Sequence, residues 1–495
     1  MGLELNSYQF SKNRIVRYLD KSPLEFTKSD IIDYIINNGI ECVTFLYAAD
    51  DGRLKSLDFA YHDLQHLDTI LTYGERVDGS SLFRHIDPAN SDLYVIPRYR
   101  TAFVDPSDST RLYLLCTFFD KNGQRMQLTP EYTLEKACHE FTTVTGLEFQ
   151  AMGELEYYVI GDDDATFPAT DQRGYHESEP FAKFNDFRRL CMNHIAQTGA
   201  MIKYGHSEVG NFTLNGKIYE QNEIEFLPVD ALQAAEQLLL SKWIIRKLAR
   251  QHNLNVTFAP KISEGKAGSG LHVHMRLVDK SGRNMMRDSA GNLSHECLLA
   301  IAGLMKLAPA ITAVGNTVPT SYCRLVPHQE APTSICWSEC NRSVLVRVPL
   351  GWNAGVDMSA LVNPVDTNAK PTVLDNQRQT IEIRSGDASA DVYLLMAALA
   401  VACRTGWELK NAEQIAASTH VTGDIHATGA DLKLDSLPAS CAESADRMQE
   451  LSSYFTARGV FNEALIQSII GKLQAYPEAN TTDMATLVAK YFHCG

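Results

Sequence analysis

The chain lacks any excess of positive charge. Its 60 Asp and Glu outnumber its 45 Lys and Arg, leaving a formal net charge of −15 over 495 residues. Phosphate backbones are bound through basic surfaces, so the charge argues against nucleic acid as the main partner, and any phosphate handled here is met locally. Cys-x-x-Cys pairs are also missing. The eleven cysteines are odd in number and dispersed, which reads as a reduced, cytosolic protein, with Cys336 and Cys340, the closest pair, as ordinary packing residues. No apolar run reaches membrane length: the longest, residues 392–403, is short against a bilayer core of about 30 Å and reads as a buried helix between Asp391 and Arg404. The opening MGLELNSYQF has no basic segment followed by an apolar one, and Asn6 breaks a myristoylation pattern, so neither a leader nor a membrane partner is expected. Internal repeats, low-complexity tracts and the dinucleotide fingerprint are absent. A Walker A loop is excluded too, because GNFTLNGK has the wrong glycine spacing and continues Lys217-Ile218.

With 45% hydrophobic and 9% aromatic residues the chain can bury a large core, and its length suggests two or three domains. The first part reads as a small mixed domain. Ser29 is placed to cap a helix through DIIDYIINN that stops at Gly39; ECVTFLYA and LKSLDFA then read as strands joined by the tight turn ADDGR, followed by a helix over 61–72. VDGSSLFRHIDPANSDLYVIP reads as a long polar loop, a feature that is usually functional or disordered. A strand over 111–118 follows, Pro130 opens an amphipathic helix, and the domain boundary falls near residue 127. Beyond it, strands through Glu154, Glu223 and His272 alternate with helices over 184–198, 231–252, 294–307 and 388–410. TVPTSYCRLVPHQEAP, with three prolines, reads as a loop.

Four strand-like segments each carry two ligand-type side chains at i and i+2. They are Glu154 and Glu156 in GELEYYV, Glu223 and Glu225 in QNEIEF, His272 and His274 in GLHVHM, and Glu382 and Arg384 in QTIEIRS. In a β-strand such residues share a face, so each segment offers a pair to one surface while its apolar residues face a core. Singly, each pair is an ordinary solvated face. Together they gather carboxylates, imidazoles and an arginine, which suits hard divalent cations holding a phosphorylated ligand. Gly153, Gly265, Gly268 and Gly270 beside these pairs would let backbone approach a ligand.

Laid out in order, VDGSS, GELEYY, HSEVG followed by QNE, GSGLHVH, RLVPHQEAP with NRSVLVR, and IEIR make the chain resemble glutamine synthetase of the bacterial type I class, over about residues 39–391. The resemblance implies an α+β fold: a small N-terminal β-grasp-like domain, residues 1–126, then a catalytic domain, residues 127–495, with a curved antiparallel sheet flanked by helices. It implies two Mg²⁺ or Mn²⁺ sites, one held by Glu156, Glu208 and Glu223, the other by Glu154, His272 and Glu382, with ATP as co-substrate. Carboxylate-rich sets with one imidazole are what these ions accept. Arg324 and Arg384 would grip the carboxylates of glutamate, Arg342 and Arg347 would face phosphate, and His274 would reach phosphate oxygens. Asp78, Ser81, Tyr175 and Glu208 would form an ammonium pocket in which Asp78 removes a proton. Glu330 would close over the intermediate, and Gly268 would line the substrate site.

The implied reaction joins ammonia to the γ-carboxylate of glutamate through γ-glutamyl phosphate. The implied assembly is a homo-oligomer, commonly a dodecamer of two stacked hexamers in which one subunit's first domain completes its neighbour's site. The C-terminal TTDMATLVAKYFHCG reads as a helix that ties subunits together or packs on its own domain. Four positions depart from the family pattern: Ala267 where an asparagine commonly stands, Gln377 and Thr380 where basic residues do, and Arg276 in place of a serine. The adenylylation tyrosine motif is absent. Two rival activities follow, a γ-glutamyl ligase for a polyamine or other amine, favoured by Ala267, and a non-catalytic relative, disfavoured by the six intact metal ligands.

Overall fold

The computed structural model describes residues 8–163, 166–327, 331–351, 358–363, 365, 378–423, 425, 434–476 and 483–495. The N-terminal part is built on six strands: β1 (Cys42–Ala48), β2 (Leu54–Phe59), β3 (Glu75–Asp78), β4 (Asp92–Pro97), β5 (Phe103–Asp105) and β6 (Asp108–Phe119). They form a mixed sheet in the order β2-β1-β6-β4-β3, with β5 also on β6; β1 and β6 run parallel and the other pairs antiparallel. Helices Lys28–Asn37 and Leu64–Tyr73 bury Ile31, Tyr34, Ile35, Leu67 and Leu71 against Phe45, Val95, Leu112, Leu114 and Phe118. The cap of the first helix differs from the sequence expectation. Thr27, not Ser29, accepts from the Asp30 N–H while the Asp30 carboxylate accepts from the Thr27 N–H, a reciprocal box that satisfies two otherwise unpaired donors. The expected VDGSS loop is structured as well: β3 ends at Asp78, whose carboxylate caps the short helix Gly79–Leu82.

A second sheet carries nine strands: β7 (Glu148–Asp162), β8 (Ile202–Leu214), β9 (Lys217–Phe226), β10 (Val229–Asp230), β11 (Asn255–Thr257), β12 (Leu271–Val278), β13 (Trp337–Glu339), β14 (Val346–Val348) and β15 (Ile381–Ile383). Their order is β13-β14-β15-β12-β7-β9-β8, with β10 and β11 added to β7, and all but β13 with β14 are antiparallel. One face of β7, β9, β12 and β15 presents Leu155, Ile224, Leu271, Val273, Met275, Ile381 and Ile383 to the main core. Helices Pro130–Thr145 and Ala231–Gln251 cover that face, and His295–Gly315 and Val392–Glu408 pack with them in the same core. The other face is left for polar side chains.

Several boundaries move for identifiable reasons. The helix at 388–410 begins only at Val392, because Asp391 caps it through the N–H groups of Tyr393 and Leu394. The helix at 294–307 continues through Pro309 to Gly315, and at 21 residues it is apolar and long enough to cross a membrane, yet 78% of its most apolar stretch is buried inside the protein. The expected loop at 318–332 contains the helix Pro319–Arg324, since a proline at the first helical position forfeits no intrahelical bond. The C-terminal helix, Met484–Tyr491, packs on its own chain: Leu487 and Tyr491 cluster with Val318, and the carbonyls of Phe492, His493 and Cys494 accept from Thr257, Arg53 and Arg246. All eleven cysteines are free thiols.

Candidate active site

Strand register assembles the polar face. Glu154 on β7 stands opposite His272 on β12 and opposite Glu225 on β9; Glu156 stands opposite Glu223, which in turn stands opposite His206 on β8. His274 stands opposite Glu382 on β15, and Glu382 opposite Arg347 on β14. Side chains directly opposite share a face and touch, so six strands build one surface of carboxylates, imidazoles and arginines. β8 adds a departure from regularity. Its register slips between Ile202 and Tyr204 and again between Ser207 and Asn211, and the second slip contains Glu208. A bulge re-aims the residue it carries, and here Glu208 comes to lie beside Glu223.

Two of the expected metal-ligand groupings can be compared with the geometry. Oxygen and nitrogen atoms of Glu154, His272 and Glu382 lie within 4.8 Å of one another, as do those of His206, Glu208 and Glu223. His206, in the HSEVG motif, was not expected as a ligand. Its place opposite Glu223 depends on strand register, which the sequence does not display. Glu156, expected in this second set, accepts from the Gly270 N–H at 2.7 Å and from Gln221 Nε2 at 3.0 Å, and lies 3.9 Å from His272 Nε2. Glu154, Glu225 and His274 form a third close group.

The electrostatics state what this surface needs. Glu223 is pushed well up by burial and by the charges of Glu154, Glu156, Glu208 and Glu225. Burial, a hydrogen bond with Glu154 and its charge push Glu225 up to about 7. Burial opposes ionisation of Glu154 as well, but the His274 and His272 imidazoles outweigh it and hold that carboxylate well below its usual range. Glu382 is likewise lowered: burial and Glu154 oppose its charge, and Arg384, His274 and His272 overcome them. Buried carboxylates crowded enough to hold protons against one another are a donor set for divalent cations, and oxygen-rich ligands with an imidazole fit Mg²⁺ or Mn²⁺.

A cavity of about 320 Å³ opens beside these groups, lined among others by Glu156, Glu208, Gly268, His272, Arg324 and Arg384. Arg324 donates to the carbonyls of Ser385 and Arg384, and Arg384 donates to Glu382 at 2.7 Å, so two buried guanidiniums are fixed at its wall. Glycine makes room for them. A Cβ on Gly268 would lie 2.9 Å from Arg324 Cγ, and one on Gly270 would lie 2.6 Å from its Nη2 and 2.8 Å from His272 Nε2. Gly153 works differently from the sequence expectation. A Cβ there would lie 2.8 Å from both Leu238 methyls, so its bareness serves the core and not a ligand.

The remaining expected residues divide. Arg347 donates to Glu382 at 3.0 Å, whereas Arg342 is exposed on the turn before β14. His274 has its ring nitrogens 2.8 Å from Glu154 Oε1 and 2.8 Å from Thr380 Oγ1, so it braces a carboxylate of the polar face. Tyr175 is half exposed and stacks on His176 at 4.2 Å, beside His206 at 5.5 Å. Its segment runs along β8 through bonds from Gln172, Gly174 and His176 to Asn211, Val209 and Ser207. Asp78 and Ser81 stand in the N-terminal domain with their hydrogen bond directed to each other, 2.6 Å long, and are not among the residues lining the cavity. Among the departures, the Ala267 N–H donates to Gln172, Arg276 to Gln150, and Thr380 holds His274. Glu330 and Gln377 lie outside the described residues.

Residues 127–486 match the family model for the glutamine synthetase catalytic domain. The chain is 31% identical to glutamine synthetase of Thermus thermophilus over 397 residues, covering 78% of this chain and 81% of the relative. With glutamine synthetase of Aquifex aeolicus it shares 25% identity over 474 residues, 90% of this chain and 94% of the relative. In fold it is similar to a GmaS–ADP complex, with a TM-score of 0.74 at 19% identity over 93% of this chain and 98% of that one. It is also similar to Plasmodium falciparum glutamine synthetase, with a TM-score of 0.73 at 20% identity over 91% and 95%.

Proposed function

The chain belongs to the glutamine synthetase family, and from that premise we propose that it is a ligase joining ammonia to the γ-carboxylate of L-glutamate at the expense of ATP, through γ-glutamyl phosphate. The observation that carries the reading is the single polar sheet face on which Glu154, Glu156, Glu208, Glu223, His272 and Glu382 meet beside the buried guanidiniums of Arg324 and Arg384. Half of that surface needs cations and the other half needs anions, which together describe a metal–phosphate–carboxylate complex.

Bound at the Glu154–His272–Glu382 and Glu156–Glu208–Glu223 positions, Mg²⁺ or Mn²⁺ would neutralise phosphate oxygens and the forming acyl phosphate. The chain's own groups do the rest. Arg324 and Arg384 orient the carboxylates of glutamate, and Arg347, with Arg342, faces the transferring phosphoryl group. Asp78 and Ser81, from the first domain of a neighbouring subunit, join Tyr175 and Glu208 around the entering ammonium. The Asp78 carboxylate, which hydrogen bonds from Ser81, Ser80 and Ser91 keep ionised, supplies the negative charge that holds the ammonium and is the group assigned to receive its proton. Glu330 excludes water while the intermediate stands. The assembly proposed for it is a homo-oligomer, a dodecamer of two stacked hexamers, in the cytoplasm.

A second reading, ligation of a larger amine, is favoured by Ala267 and by the half-exposed rings of Tyr175 and Tyr204 beside the carboxylates. Purified protein supplied with ATP, Mg²⁺ and glutamate, and compared with ammonia, putrescine or ethanolamine as acceptor, separates the two. Ammonia is expected to support the highest turnover, and release of phosphate is expected to require glutamate. Faster turnover with either larger amine contradicts the ammonia assignment.

A further inference from the structure

A second cavity, of about 520 Å³, is larger than the one beside the carboxylate face and shares no lining residue with it. Protein interiors pack too closely to leave such a space as a defect; it has the size of a ligand pocket, and it opens where such pockets concentrate, between domains. Residues 50–52, Arg84 and His85 of the N-terminal domain line one side. Thr317, Ser389, Asp391 and the helix Glu463–Gln474 line the other, and Ala313, Val314, Leu394, Leu465 and Leu473 give it buried apolar walls. Its charges do not balance. Asp50 has Arg84 at 3.5 Å, and Asp51 has Lys55 at 2.6 Å. Burial pushes Asp391 up, and the Leu394 N–H, the charge of buried Lys242, the Tyr393 N–H and, least, Lys472 hold it down. Lys472 and Lys490 remain: among the described residues neither makes a hydrogen bond or an ion pair, and Lys490 only stands over the Tyr491 ring at 5.4 Å. An apolar pocket lined by two uncompensated ammoniums suits a small carboxylic acid, whose apolar body covers the leucines while its carboxylate takes charge-assisted hydrogen bonds.

We propose that this cavity is an effector site for a small carboxylic acid with an apolar body, and that its occupancy changes the rate of synthesis through the segment that carries Asp78. The effect on rate rests on the ligase reading above; the binding does not. On the N-terminal side the Asp50 N–H donates to the Leu82 carbonyl and the Arg84 N–H to the Asp50 carboxylate, so this wall is tied to the helix Gly79–Leu82 that Asp78 caps. On the catalytic side Thr317 donates to Ser389 and the Ser389 N–H to Asp387. Asn316 Nδ2 donates to Asp387 and to the Ser385 carbonyl, which also accepts from Arg324. A ligand between these walls is therefore joined by short chains of hydrogen bonds both to the group assigned to ammonium and to a guanidinium assigned to glutamate. Because Asp78 is assigned to the neighbouring subunit's site, the change in rate is felt there.

The test titrates the assembled full protein with diphenylacetate by calorimetry, with diphenylacetamide as the uncharged counterpart, in wild type, Lys472→Met and Ala475→Trp. Lys472 is partly exposed and Ala475 exposed at the pocket, so neither change disturbs the core, and both variants are expected to keep wild-type synthesis without the probe. Diphenylacetate is expected to bind wild type with a Kd of about 1 mM or tighter, and Lys472→Met about tenfold more weakly. The amide is expected to lose about the same factor on wild type, and Ala475→Trp, whose indole fills the space, is expected to bind neither. Saturating diphenylacetate is expected to change kcat for glutamine formation by about twofold or more in wild type, to keep KM for ATP and glutamate within about twofold, and to leave Ala475→Trp unaffected. No saturable binding up to about 10 mM, equal affinity in the three proteins, or displacement of the probe by ATP or glutamate overturns the site. Binding that leaves kcat unchanged overturns the effector role. A wild type that turns over no ATP with any acceptor overturns the ligase reading instead, and calorimetry still decides the site by itself.

Discussion

Glu223 meets the fields of four other carboxylates in a buried site, and that single residue shows why the face needs metal. Its partner in β9, Glu225, ionises only near pH 7 because burial and Glu154 oppose its charge. The sign of the consequence follows from linkage. A carboxylate whose pKa is raised in the folded state binds its proton more tightly there than in the unfolded chain, so the folded state loses stability as pH climbs from the ordinary carboxylate range through the raised value. Protein stripped of divalent cation is therefore expected to melt lower as pH rises from about 4.5 to about 7, relative to Glu225→Gln, and saturating Mg²⁺ is expected to remove the difference. Melting curves against pH with and without Mg²⁺ check this; a wild-type to variant difference independent of both contradicts it. The carboxylates themselves were legible, because alternation in GELEYYV, QNEIEF and GLHVHM fixes which residues share a face. The task of His274 was not, since bracing Glu154 depends on a neighbour 120 positions away. The role of Gly153 was also hidden: its contact is Leu238, on a helix the local sequence says nothing about.

At the scale of elements, regular pieces were read well and irregular ones poorly. Pro130 opens its helix as expected, and the apolar run at 392–403 is a buried helix. Periodicity has no term for a bulge, so the aim of Glu208 was not visible, and three prolines masked the helix Pro319–Arg324. The pairing of helices His295–Gly315 and Val392–Glu408 depends on two glycines rather than on apolar bulk. A Cβ on Gly303 would lie 1.9 Å from the Ala402 carbonyl oxygen, and one on Gly406 would lie 1.8 Å from that of Leu299. Backbone cannot yield as a side chain can. Gly303→Val is accordingly expected to destabilise by about 3 kcal/mol, toward the upper end of overpacking effects, or to prevent folding. Urea unfolding measures it, and a change below about 0.5 kcal/mol, the range of neutral surface substitutions, contradicts the close crossing.

For the whole molecule, the placement of Asp78 is decisive. It caps a turn in the N-terminal domain, while the carboxylate face lies in the second sheet. If neighbouring subunits complete one another, Asp78→Ala and Glu156→Ala preparations, each expected to lose at least about a hundredfold in synthesis, regain part of the wild-type rate when co-assembled, because some interfaces then pair two intact halves. Mixed assemblies as inactive as their parents contradict the shared site. The account as a whole stands on activation of the γ-carboxylate by phosphoryl transfer. Glutamate labelled with heavy oxygen in that carboxylate, incubated with ATP, Mg²⁺ and ammonia, tests it most directly by mass analysis of the products. The account predicts that one labelled oxygen appears in the released phosphate for each glutamine formed. Phosphate without label, or label transfer with no glutamine, would contradict it.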